Sequence, residues 1–219
     1  MDGGRDRERF DREMEADAVA TLFLWVKGGI VGGLSFLVGL GLVHLLLRTR
    51  FAGQAALAAA AIGRVRVSTW GYYNAHLVPT DGLALDAVHV VPGGGNTLAR
   101  LAATDPLLYG VFLLPPALLV VSGYAVAKRR PVKVRWVRAG LAVFVGYFFV
   151  AVVFLLVATV PPGQTVPGVP PGTELRPNPW FAIGLAAVGY PAFFAILGSL
   201  FGRRAPWTRP SKQGTRRRR

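Results

Sequence analysis

His76, Asp81, Asp86 and His89 are the one close group of potential metal ligands in the chain, at successive spacings of five, five and three residues. Two imidazoles and two carboxylates can hold zinc or another divalent cation, and a carboxylate can also orient a ligating histidine from behind. The spacing follows no familiar zinc pattern, and Pro79 and Gly82 interrupt it. His76 with Asp81 also has the composition of a general acid–base pair, but that work needs a pocket and a substrate, and the sequence identifies neither. A third role is structural. Within "VSTWGYYNAHLVPTDG", residues 67–82, the Tyr, Asn and His side chains would satisfy backbone groups that have no water to bond. The three readings stay open at this level. No cofactor is expected, and the absence of cysteine excludes disulfides and thiolate sites.

Composition dictates what must position these residues. The 219-residue chain is 53% hydrophobic and only 16% charged, where a soluble domain carries about 25% charged residues. Four stretches, 28–47, 106–127, 139–160 and 180–201, contain no Lys, Arg, Asp or Glu. Each reaches the roughly 20 apolar residues that a helix needs to cross a bilayer core. The expected fold is therefore all-α: an integral membrane four-helix bundle with a structured extracytoplasmic loop. A charged leader (1–27) precedes the membrane domain (28–201), residues 48–105 form the loop, and a disordered basic tail (202–219) follows. The leader holds seven acids, too many for a cleavable signal peptide, so the first helix is read as an anchor.

Basic residues set the orientation. The leader, residues 128–138 and the tail together hold 19 Lys and Arg, against six in 48–105 and 161–179. Cations accumulate on the cytoplasmic side, which places both termini inside a cell membrane and the 48–105 loop outside. His44 then falls near the outer end of the first span, as an interfacial, hydrogen-bonded residue. The tail should attract anionic lipid headgroups. Nucleic-acid binding is not expected, because the excess charge adjoins the spans and no RNA-binding motif accompanies it.

Helix boundaries and contacts are also written locally. Asp105-Pro106 and Asn178-Pro179 each pair a capping side chain with a proline that needs no hydrogen bond in a first turn. Gly28, Gly29, Gly32 and Gly33 make a small-residue stripe for close helix contact, within the bundle or with a second membrane protein. Pro115, Pro116 and Pro191 are read as kinks that free carbonyls near Val111, Phe112 and Ala187. Residues 64–91 are ambiguous between strand and helix, with the aromatics at 70–73 favouring an interfacial or re-entrant helix. The run "LALDAVHVVPGGG" reads as a short apolar piece ended by a glycine turn, and "NTLARLAATDP" as a short helix.

"WGYYNAHLV" in the loop, a glycine-rich turn and then "DPLLYGVFLLPPALLVVSGYAVA" together resemble a set of uncharacterised small multi-pass membrane proteins of halophilic archaea, over roughly residues 64–160. The resemblance implies the four-helix architecture and marks Tyr73, Asn74 and His76 as the loop's signature; it implies no activity. The leading expectation is a non-enzymatic membrane component offering its loop or glycine stripe to another protein or to a second copy. A small-solute or ion transporter is the first alternative, and a membrane enzyme or metal site in the loop the second.

Overall fold

The computed structural model describes residues 3–50, 62–85, 90–92, 95–128, 136–160, 164, 172 and 174–204. No proline precedes Pro79. Helix α1 accordingly runs unbroken over Gly3–Arg50, carrying the expected leader straight into the first apolar stretch. Helix α2 (Arg64–Ala75) follows, so the ambiguous 64–75 segment is helical. Helix α3 (Thr97–Thr104) starts at Asn96, whose side chain accepts the Ala99 N–H at 2.9 Å. Helices α4 (Leu114–Lys128), α5 (Trp136–Ala158) and α6 (Tyr190–Arg204) follow.

Among the described residues, four helical segments are long and apolar enough to cross a membrane: Asp17–Arg50, Pro106–Lys128, Trp136–Ala158 and Pro179–Arg203. Their outward faces carry large apolar side chains such as Phe149, Leu156 and Trp180, an arrangement suited to lipid rather than water. Helix α1 packs on α5, α5 on α6, α6 on α4, and α4 back on α1, closing a four-helix ring.

Small residues let these helices touch backbone to backbone. A Cβ on Gly32 would overlap the Val143 carbonyl, and one on Gly146 would overlap Gly29. Gly28 lies on Ala142, and Gly33 faces Val150. This is the intramolecular one of the two uses expected for the glycine stripe: Gly28, Gly32 and Gly33 face α5, while a Cβ on Gly29 would meet open space. The α4–α6 seam repeats the device at Gly123 and Gly198, which abut the Ala195 and Val120 carbonyls.

Both expected caps form. Asp105 accepts the Leu107 N–H at 3.1 Å and Asn178 the Phe181 N–H at 3.3 Å. Neither cap opens directly into a long α-helix. Pro106–Leu113 is a 3-10 helix, and Ala182–Gly189, after the helical turn Pro179–Phe181, is a π-helix. Pro115 and Pro116 therefore stand in the first turn of α4, and Pro191 in the first turn of α6, where a missing N–H removes no α-type bond. The Val111 carbonyl, expected to be freed, accepts the Leu114 N–H instead.

The described residues are mostly helical, as expected, and short strands are added at one end of the bundle. Strand β1 (Thr80–Asp81) pairs antiparallel with β4 (Arg176–Pro177), and β2 (Leu83–Leu85) pairs antiparallel with β3 (Val90–Pro92). Pro79, Gly82 and Pro92 deny this stretch a helix, and backbone pairing satisfies it instead. The Thr80–Gly95 bridge ties the pairs together. Most of the 160–179 connector, the 129–135 turn and the 205–219 tail lie outside the described residues.

Candidate functional site

Helix α2 lies inside the bundle, between α1 and α5, and not across its end. Its register is set by successive contacts. Arg66 Nε donates to the Val157 carbonyl at 3.3 Å and Trp70 Nε1 to the Ala158 carbonyl at 2.8 Å, so α2 supplies donors to two of the carbonyls that the α5 C-terminus leaves open. Deeper along α5, the Tyr73 hydroxyl donates to the Ala151 carbonyl, and Tyr72 meets Tyr147. Along α1 the matching steps are Ser68 on His44 (2.8 Å), Gly71 on Val43 and Leu47, and Tyr72 on Gly39. Gly39 is required there, because any Cβ would collide with the Tyr72 hydroxyl.

At the end of α2 stands His76, fully buried. Its Nδ1 lies 2.8 Å from the Tyr72 carbonyl, which can only accept, so Nδ1 carries the proton. Nε2 is then an acceptor and takes the Tyr147 hydroxyl at 2.6 Å. With its proton given to His76, Tyr147 accepts from the Tyr72 hydroxyl at 2.9 Å. The order of donation is fixed: Tyr72 to Tyr147 to His76 to the Tyr72 backbone. Phe36 packs edge-on against Tyr72 and Tyr147, and Tyr190 covers the imidazole at 5.2 Å between ring centroids. Burial pushes His76 down to about 4, against a weaker upward pull from the Tyr72 carbonyl, so the ring is neutral at pH 7. Burial raises both Tyr72 and Tyr73, which stay protonated as donors.

The helix ends in a Schellman motif. The Val78 N–H bonds the Tyr73 carbonyl at 3.1 Å and the Leu77 N–H the Asn74 carbonyl at 2.9 Å, which puts Leu77 in the left-handed region at φ 63. Asn74 holds this turn from within. Its Nδ2 donates to the Val78 carbonyl at 2.8 Å, its Oδ1 accepts from the Leu98 N–H at 3.3 Å, and its carbonyl accepts from Asn96 Nδ2 at 2.8 Å.

Tyr73, Asn74 and His76 are thus brought together, each with partners inside the chain. Asp81 is not part of that group: its carboxylate accepts both contacts from Asn178 Nδ2 at 3.2 Å. Asp86 and His89 lie outside the described residues. Among the described residues no three His, Cys, Asp or Glu gather in the way a metal site requires. Sequence reading missed Tyr147 and Phe36. A lone tyrosine in "FVGYFFV" was the available signal, since a hydroxyl in so apolar a span must find a partner.

A family described as being of unknown function (DUF7978) matches residues 12–205. No curated protein and no solved structure matches the chain.

Proposed function

We propose that this chain, which belongs to the DUF7978 family of unknown function, is a non-catalytic multi-pass membrane component whose inserted helix α2 fixes the bundle and its β-paired end for contact with another membrane protein. One observation carries the reading. Among the described residues, the only buried side-chain polar atom without a hydrogen-bond partner is Arg176 Nε. Tyr72, Tyr147 and His76 likewise spend their polar atoms on one another and on the Tyr72 carbonyl, which holds α2 in place between α1 and α5.

The distribution of Lys and Arg supports a cell-membrane location with both termini cytoplasmic, which makes the β-paired end extracytoplasmic and α2 a re-entrant helix. The resemblance noted above supports an archaeal source. The charged leader and basic tail would then meet the cytoplasmic surface, the tail against anionic lipid.

A photo-crosslinking residue placed at Glu174, exposed at the β-paired end, tests the reading in whole membranes. The expected result is a discrete crosslinked species from this site and none from Phe149 on the apolar face. Crosslinks to lipid alone from every site would contradict it.

A second reading is favoured by the hydrogen-bonded chain itself. An imidazole joined to two phenols midway along the spans is the kind of group that relays protons in transporters. Proteoliposomes loaded with a pH-sensitive dye separate the two. Flux under an imposed pH gradient that is lost in His76→Gln supports transport; flux no greater than in empty liposomes supports the structural component.

A further inference from the structure

The α1–α2 contact also aligns two arginines that no acidic group balances among the described residues. His44 faces Ser68, and Gly39 faces Tyr72. One helical turn, about 6 Å, beyond His44 and Ser68 on each helix, the same two faces carry Arg48 and Arg64. Both are exposed. No Asp or Glu occurs anywhere from residue 18 to residue 80, a stretch that includes the 51–61 connector between the helices. The ion pair present among the described residues, Arg176 with Glu174, lies elsewhere. Arg66, by contrast, is tied into the fold through the Val157 and Ile62 carbonyls.

We propose that Arg48 and Arg64 together bind the phosphate of an anionic glycerophospholipid in the leaflet bordering the Arg50 end of α1. Two planar guanidinium groups can clamp a phosphate with paired hydrogen bonds, and an anion between them relieves their mutual repulsion. The α2 N-terminus adds to the same field, with no side-chain cap and no acid in its first turn. The site lies where the apolar surface ends. Leu42, Leu45 and Val65, all exposed, border the arginines and offer acyl chains a surface that free phosphate would not use.

The proposal rests on the membrane-spanning reading of the four helices. Its test is native mass spectrometry of the full chain released from bilayers of phosphatidylcholine and phosphatidylglycerol. The wild type is expected to retain one phosphatidylglycerol. In R48Q/R64Q that retention falls roughly tenfold or more, the size expected for two surface arginines. A variant with Arg216, Arg217, Arg218 and Arg219 changed to Gln keeps it, which separates the seam from the basic tail. Undiminished retention in R48Q/R64Q overturns the proposal, and so does displacement of the lipid by equimolar inorganic phosphate. Flotation of each variant with liposomes after an alkaline wash is read in parallel. A chain that fails to float defeats the membrane reading itself, not the arginine seam alone.

Discussion

Tyr147 donates its hydroxyl proton to His76 Nε2 across 2.6 Å, and the direction is forced because the other imidazole nitrogen faces a backbone carbonyl. Removing the donor leaves a buried acceptor unsatisfied. Tyr147→Phe is expected to cost about 2 kcal/mol, read as a lower unfolding midpoint of the solubilised protein. Tyr72→Phe removes only the first donor of the chain and should cost about 1 kcal/mol. Equal, negligible losses in both would contradict this order.

His76 makes stability depend on pH with a definite sign. Its folded value, held at about 4 by burial, lies below the unfolded value of 6.5. The unfolded imidazole therefore takes up a proton first as pH falls. The stabilisation from neutral His76 is complete above pH 6.5 and declines towards pH 4, by about 3 kcal/mol in all. Thermal unfolding at pH 7.5 and pH 4.5 should show a larger drop for wild type than for His76→Gln. Parallel pH profiles for the two proteins would rule out His76 as the source.

Glycines on one helix face have unequal roles. Gly32→Ala and Gly146→Ala place a methyl group into backbone of the facing helix and should destabilise by roughly 1–3 kcal/mol. A Cβ at Gly29 meets open space, so Gly29→Ala should change stability by less than about 0.5 kcal/mol. Unfolding midpoints of the three variants decide the matter.

Leu77 holds a left-handed conformation that a branched side chain resists, and its side chain is exposed. Leu77→Gly should therefore raise stability by about 1 kcal/mol, because it relieves strain without removing buried contact. A lower midpoint would mean that the leucine side chain holds the turn.

The four long apolar helices were legible because the absence of charge over some twenty residues is a strong signal. The caps at Asp105 and Asn178 were legible because proline beside a capping residue is a local one. Helix α2 was only half legible. Trp70, Tyr72 and Tyr73 suit an interfacial position as well as an inserted one, and only the partners on α1 and α5 decide between them. Those partners, Phe36 and Tyr147, are separated from Tyr72 by over 30 and over 70 residues, and no local pattern links them. The 3-10 and π segments were illegible for a related reason: a proline shows where an N–H is missing, while the helix type before it depends on how neighbouring helices pack. The short strands followed from Pro79 and Gly82 only in the negative sense that no helix could form there.

The insertion of α2 beside α1 underlies every role assigned above, and the cysteine-free chain allows a direct test. A Cβ at Gly71 would lie 3.0 Å from the Val43 Cγ1, within disulfide reach once both residues are cysteine. Mild oxidation of V43C/G71C should yield an intramolecular disulfide, seen as a mass loss of about 2 Da from the two thiol hydrogens, while V38C/G71C, with residue 38 on the exposed face, stays reduced. Failure of V43C/G71C to close, or closure of both pairs alike, would place α2 somewhere other than inside the bundle.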